Sequence, residues 1–359
     1  VDRCRRGCSR GDEARYVCNS RTEQRCLRQR SGFCRRRWQS RSGRSNQPTS
    51  LRLRKRMVAN TNDLVDELVV RIEASNPMQR TMLQSSLAGL RTDERKRLHR
   101  YLEYCEDSGF DIDQLAEAYN TITLDTLREQ VYFQRNGRYR YSRFDEVAGH
   151  VYHNPLYMRK YMYGLAITAY FWANHREIYR YFEMVIPRRQ GGRYLEVGPG
   201  HGLFFLQAMA LSRYESYEGI DISETSLEMT RSLLSRQEHR DSNRWVLQCG
   251  DFLAANELVG PYDAVVIGEV LEHVERPDLF LMRIQSLIRP GGFVFVTTAV
   301  NAPAVDHIYL FRTVAEVEHM AITCGLNVVD KLVTGYPGCS IQETEQRRLP
   351  INLALVLSA

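Results

Sequence analysis

Four short stretches of the chain group residues whose types and spacing could do chemistry. In the first, Glu196-Val-Gly-Pro-Gly-His-Gly202, glycines alternate at Gly198, Gly200 and Gly202, on either side of Pro199 and His201. Glycines after a buried strand let the backbone pass close beneath a ligand. The third glycine comes one residue early for the dinucleotide fingerprint, and no lysine follows to hold a phosphate. In the second, Asp221 and Ile222 end SYEGIDI, where a carboxylate can accept from both hydroxyls of a ribose. In the third, Asp251 and Phe252 of CGDF could accept from an adenine amino group and pack on its ring. In the fourth, Glu269-Val-Leu-Glu272-His273 offers two carboxylates and an imidazole, and Asp306-His307 follows further on. Such a set suits a divalent cation such as Mg or Mn, or general acid–base work without one. Singly, each acid also reads as a cap or turn residue. Together and in this order, they describe a nucleoside site without phosphates.

The elements needed to position these residues are legible around them. RYLEV (193–197) reads as a short buried strand, followed by a helix over Leu203–Leu211. Further strands are predicted at 216–222, 244–249, 262–268 and 293–299, with NVVDKLV and INLALVLSA after them. Helices are predicted near 224–236, 278–288 and 313–324. Strands alternating with helices of this length mean crossover units on a mostly parallel sheet, whose ligands bind at the carboxyl ends of the strands. All the polar residues above fall at such ends.

The preceding segment, 57–190, has helical periodicity, with Leu64, Leu68 and Ile72 and later Leu115, Ala118, Tyr119 and Ile122 recurring at three and four residues. Thr92 reads as an N-cap and Asp111 as the start of a further helix. Fifteen of the 36 aromatic residues fall within 131–182. They serve either as a helix–helix core or as the walls of a pocket for a flat organic molecule. His150, His153 and His175 lie in the same stretch, each more readily a hydrogen-bonded structural histidine than a ligand.

Charge is divided unevenly along the 359 residues. Residues 1–56 carry 17 Arg and one Lys against four acids, which leaves 31 basic and 39 acidic residues, a net of −8, for the rest. An acidic body argues against broad binding of a phosphate backbone. The extension has five cysteines at spacings that form no zinc knuckle, and too few apolar residues to offset the entropy of ordering it. It reads as a disordered Arg/Cys-rich segment, or as the product of a mis-set start ahead of Met57. The longest apolar stretches, 164–173 and 351–359, are about ten residues, half of what a spanning helix needs. With no secretory segment, a reducing, cytoplasmic setting is expected, and Cys105, Cys249, Cys324 and Cys339 read as ordinary thiols.

Residues 190–359 resemble a class I S-adenosylmethionine-dependent methyltransferase, through LEVGPGHG, EGIDIS, CGDF, YDAVVIGEVLEHV and LIRPGGFVFVTT in that order. The resemblance implies an α/β, Rossmann-like fold: a seven-stranded, mostly parallel sheet in the order 3-2-1-4-5-7-6, the last strand antiparallel. The chain then divides into the extension (1–56), residues 57–190, which match no family pattern and occupy the place where such enzymes often carry an N-terminal helical substrate-binding cap, and a methyltransferase domain (191–359). By position, Gly198, Pro199, Gly200 and Gly202 would underlie S-adenosyl-L-methionine, with Glu196 near its amino-acid end and Glu269 along the cleft. Asp221 and Ile222 would hold the ribose, and Asp251 and Phe252 the adenine.

The E-x-x-E-H motif with a downstream histidine is similar to that of ubiquinone-biosynthesis O-methyltransferases and of terminal 2′-O-methyltransferases of small RNAs. By that likeness Glu269, Glu272, His273 and His307 would hold Mg or Mn. Without a metal, His307 is the expected base, oriented by Asp306, with His273 beside it. The acceptor is expected to be a small organic molecule with aromatic character, methylated on oxygen in natural-product or quinone-type biosynthesis. RNA or protein methylation through the basic extension is the alternative, and a non-catalytic nucleoside-binding module a third.

Overall fold

The computed structural model describes residues 63–188, 190–236 and 244–359, which fall within one compact unit. The extension expected over 1–56, with its alternative start at Met57, lies outside the described residues.

The helical half contains α1 (Leu64–Ser75), α2 (Arg80–Gly89), α3 (Thr92–Asp107), α4 (Ile112–Asn136), α5 (Phe144–Ala148), α6 (Pro155–Phe171) and α7 (Ala173–Val185). Local sequence sets their ends. Asp111 accepts a hydrogen bond from the Gln114 amide while the Gln114 side chain accepts from the Asp111 amide, and α4 stops at Gly137 in the left-handed conformation. Asn154 caps α6, and Pro155 takes its first position. Thr92 is not the cap expected of it. It is the first helical residue, and the buried Glu94 carboxylate instead accepts from the Arg91 amide at 2.8 Å. Arg180 of α7 holds that carboxylate through two 2.6 Å hydrogen bonds, which fixes it for the role.

The sheet runs β3-β2-β1-β4-β5-β7-β6, in the order the resemblance implies, with β7 antiparallel to both neighbours. Its strands are β1 (Arg193–Val197), β2 (Ser216–Asp221), β3 (Trp245–Cys249), β4 (Tyr262–Gly268), β5 (Ile288–Val300), β6 (Asn327–Thr334) and β7 (Ile351–Ser358). The interleaved helices are α8 (Leu203–Leu211), α9 (Glu224–Ser235), α10 (Pro277–Leu287), α11 (Val314–Thr323) and α12 (Ile341–Gln346). The central strands are apolar throughout because helices cover both faces. On one face Phe280 and Ile284 of α10 and Val317 of α11 pack on the strands. On the other lie Phe204 and Phe205 of α8 with Ile178 and Phe182 of α7. The fifth strand begins earlier than expected, because Ile288 pairs with Tyr262 before the register shifts around Gly291 and Gly292.

The remaining helices form a layer with its own core, built from α1, α3, α4 and α6 and reaching Met229 and Leu233 of α9. Much of the aromatic stretch lies in the two cores, with Tyr163, Phe171 and Phe182 all buried. The tightest approach is at Gly164 of α6, where a Cβ would lie 2.5 Å from Ile122 Cγ1 and 2.8 Å from the Ala118 carbonyl of α4. Gly164→Val is therefore expected to cost about 1–3 kcal/mol by overpacking. An unchanged urea midpoint would show that α4 and α6 do not meet so closely.

Candidate active site

A cavity of about 1860 Å³ lies between the helical layer and the carboxyl ends of the strands. The glycine loop forms part of its wall through Gly198, Pro199, Gly200 and His201. Gly198 has φ +69°, and a Cβ there would lie 2.6 Å from Val270, so the loop needs glycine for both conformation and space. Gly202 sits behind the wall at the start of α8, with Thr230 3.0 Å from where its Cβ would be.

Asp221 lines the cavity and ties the loop down. One carboxylate oxygen accepts from the Gly200 amide at 3.1 Å and the other from the Ser223 amide at 2.9 Å. Burial pushes its pKa up to about 6, against those hydrogen bonds. Ile222, Asp251 and Phe252 line the same end. Asp251 is exposed and accepts from the Leu253 amide at 2.9 Å, whereas Phe252 is buried against Phe280 with ring centroids 5.4 Å apart. Glu196 does not line the cavity. It is buried behind the loop, accepts from the Tyr194 hydroxyl, and burial raises its pKa to about 8.

The fourth group forms the other end. Glu269 adopts φ +51°, unusual for a side chain with a Cβ, and its amide donates to the Thr297 carbonyl and hydroxyl. Glu272 is fully buried behind the wall and accepts from the Thr298 hydroxyl at 2.7 Å. Burial, and then the Glu269 charge, push the Glu272 pKa well up. One oxygen of each of these two carboxyls is buried without a hydrogen-bond partner.

His273 and His307 meet edge to face with ring centroids 4.7 Å apart. His307 Nδ1 lies 2.6 Å from the Ala302 carbonyl, and His273 Nδ1 lies 3.2 Å from the Asp306 carbonyl. A carbonyl can only accept, so both Nδ1 atoms donate, which in the neutral imidazole leaves the lone pair on Nε2. Ring nitrogens of these two histidines and a Glu272 carboxylate oxygen all lie within 4.8 Å of one another, a spacing a metal ion could bridge. Burial, and then the neighbouring His273, lower the His307 pKa to about 3.

Asp306 does not orient His307 as expected. The two side chains diverge, and Asp306 turns toward His273, its carboxylate 3.4 Å from Nδ1. Tyr161 donates to one Asp306 oxygen at 3.0 Å and Tyr152 to the other at 3.1 Å, while the Tyr152 oxygen lies 3.0 Å from His273 Nδ1. Neither tyrosine was singled out from sequence, where both merge into an aromatic-rich stretch. Of the histidines noted there, His150 and His153 are exposed, and His175 lines the cavity, its Nδ1 2.9 Å from the Thr168 hydroxyl. His201 also lies in the wall, its Nε2 3.3 Å from the Tyr179 hydroxyl.

Residues 169–326 match the family model described as a methyltransferase domain. With this match, the sheet order and the glycine loop give this part of the chain the fold of class I S-adenosylmethionine-dependent methyltransferases. The chain is 31% identical over 160 residues to a ubiquinone biosynthesis O-methyltransferase of Acinetobacter baylyi, covering 42% of this chain and 64% of that protein. It is 34% identical over 125 residues to the protein of the same name in Dechloromonas aromatica, covering 34% of this chain and 50% of the relative. The chain thus spans less than two thirds of the length of these relatives. Among solved structures, the [4+2]-cyclase SpnF aligns with a TM-score of 0.41 and 16% identity over 50% of this chain and 79% of that one. Phosphoethanolamine N-methyltransferase 2 of Haemonchus contortus, in complex with S-adenosyl-L-methionine, aligns with a TM-score of 0.44 and 13% identity over 60% and 59%.

The histidine geometry has a measurable consequence. His307 is expected to stay neutral and protonated on Nδ1 from pH 8 down through 5, read from its ¹⁵N shifts. Its unfolded counterpart takes up a proton near pH 6.5, so this burial lowers stability progressively as pH falls from about 6.5 toward 3. A His307 that titrates near 6.5 in the folded protein would contradict the buried placement.

Proposed function

We infer that the protein is a methyltransferase that uses S-adenosyl-L-methionine to methylate an oxygen of a small organic acceptor, in natural-product or quinone-type biosynthesis. The observation that carries this reading is the pair of bare Nε2 atoms on His273 and His307, held in one cavity with the glycine loop and Asp221. The ubiquinone biosynthesis O-methyltransferases matched over part of their length support oxygen as the acceptor atom. No described helix is long and apolar enough to cross a membrane.

In this reading the glycine loop, Asp221 and Asp251 would hold S-adenosyl-L-methionine, which would supply a methyl group to the acceptor oxygen, the electron pair of the broken S–C bond remaining on sulfur. Asp221 accepts from the ribose hydroxyls, and Asp251 from the adenine amino group beside Phe252. The glycine loop runs beneath the nucleoside. Acid residues at the strand ends favour a cationic cosubstrate over its neutral product. His307 Nε2 receives the acceptor proton. Such a weak base does so late, when the oxygen has gained positive character and its proton is acidic. The aromatic wall excludes water, and positioning supplies most of the remaining rate.

A second reading is favoured by the orphaned Glu272 oxygen. Glu272, His273 and His307, with Glu269 beside them, would hold a divalent cation such as Mg or Mn, and the burial that makes His307 a poor base leaves it free of a competing proton. A bound cation would lower the pKa of an acceptor hydroxyl. Calorimetric titration of Mn into the protein and into Glu272→Gln separates the two, since saturable heat lost in the variant supports the cation.

Asp221→Ala is expected to weaken S-adenosylhomocysteine binding at least about tenfold by calorimetry, as a charge-assisted hydrogen-bond pair disappears. Unchanged affinity would remove the ribose assignment. His307→Ala is expected to lower turnover about 100-fold or more while leaving S-adenosylhomocysteine affinity within a factor of about three. A fully active variant would exclude it as base and as ligand.

A further inference from the structure

We propose that the acceptor is an extended, uncharged, mainly apolar molecule carrying an amide-type group, and that Gln130 of α4 binds that group. The inference rests on the methyltransferase reading and adds the chemical class of the acceptor to it.

Size comes first. The cavity of about 1860 Å³ exceeds the roughly 300–1,000 Å³ of an ordinary small-molecule site. Besides the residues of the nucleoside end, its wall includes Met82 and Ile122 of the helical layer and Tyr336 and Leu349 beside β6 and β7. Met78 and Leu127 also line it and are 87% and 55% exposed, so the apolar wall reaches the surface. A single aromatic ring would leave most of this wall wet, whereas an extended apolar body would cover it.

Charge comes next. Among the described residues that line the cavity, Arg276 is the only Lys or Arg, and Asp278 pairs with it at 2.6 Å. Acids in the same wall include Asp221, Asp251, Glu269 and Asp306. Away from the sulfonium, an anionic acceptor would bury its charge among like charges with no free cationic side chain in the wall, which disfavours it.

Gln130 supplies the polar contact. It lines the cavity, and its amide nitrogen and oxygen, both closed off from solvent, have no hydrogen-bond partner, so a turn of this side chain toward the cavity would bring them to a bound amide. A buried amide left unpaired is costly, and the group that would satisfy it must offer one acceptor and one donor together. A neutral amide does so. The next turn of α4 places Phe133 against Tyr139, with ring centroids 5.6 Å apart, and Tyr139 packs on His307 at 5.8 Å. The helix carrying Gln130 therefore runs past the imidazole end of the cavity, where an amide bound to it would help to aim the acceptor.

The test uses the full chain and decanamide as the probe, with Trp172 of the cavity wall as the fluorescent reporter. Decanamide is expected to quench saturably, and decanoate at about pH 7.5 to bind at least about tenfold more weakly. Gln130→Leu is expected to weaken decanamide binding about tenfold and leave S-adenosylhomocysteine binding unchanged. Equal binding of decanamide and decanoate, or equal decanamide binding by native protein and Gln130→Leu, overturns the proposal. If the variant loses S-adenosylhomocysteine binding through misfolding, the amide-against-carboxylate comparison on the native protein still decides. Native protein that binds S-adenosylhomocysteine but not decanamide defeats this inference alone. Native protein that binds no S-adenosylhomocysteine defeats the methyltransferase reading beneath it.

Discussion

A carboxylate without access to water must be held by donors, and Asp306 takes them from Tyr152 and Tyr161 of the helical layer. That contact couples the two halves of the site. Asp306 follows the fifth strand, Tyr161 belongs to α6, and Tyr152 stands just ahead of that helix. The same hydroxyls that solvate the buried carboxylate hold Asp306 against His273, whose Nδ1 donates to the Asp306 carbonyl. The Glu272 carbonyl adds to this by accepting from the Ile308 and Tyr309 amides, which joins the turn after β4 to the loop after β5. Without the helical layer, the sheet would still present Glu272, His273 and His307 at its crest. Their tautomers and water exclusion would then have no support on that side.

The acids at the strand ends work against folding. Glu196 and Asp221 are held partly protonated by burial, Glu272 more so, and Glu269 occupies a left-handed conformation. Each feature costs stability that the apolar strands and the packed helical layer must offset. Concentrated in and just behind the wall of one cleft, these costs mark the place where the structure is arranged for a ligand rather than for its own stability. Raised acids also respond to what binds. A cation placed among them draws their pKa values back down, so a sulfonium and its acid surroundings stabilise one another, and loss of the methyl group removes that gain.

Much of this was readable before the fold was known, because the relevant signals are local. Apolar strand runs, glycines at alternate positions and acids at strand ends are properties of a few consecutive residues, and they located the sheet, the loop, Asp221 and Phe252. The failures share a cause, which is dependence on distant partners. Thr92 looked like a cap because nothing nearby reveals that Arg180 holds Glu94 in place. Asp306 looked like the partner of its chain neighbour His307, yet the Ala302 carbonyl takes that imidazole and tyrosines more than a hundred residues upstream take the carboxylate. Composition could register fifteen aromatics in 131–182 but not which of them would be core and which wall.

That last distinction is less sharp than the sequence alternatives suggest. Tyr161 and Phe171 are buried in the helical core and also line the cavity, and Tyr179 stacks on Phe204 while its hydroxyl lies by His201. A wall made of core residues cannot repack around each new ligand without disturbing the core, since close-packed interiors transmit such changes. Under the proposed function, selectivity for an acceptor would then be a property of the helical layer as a whole. Its tolerance should lie toward the mouth, where Met78 and Leu127 are exposed, and not toward the imidazoles.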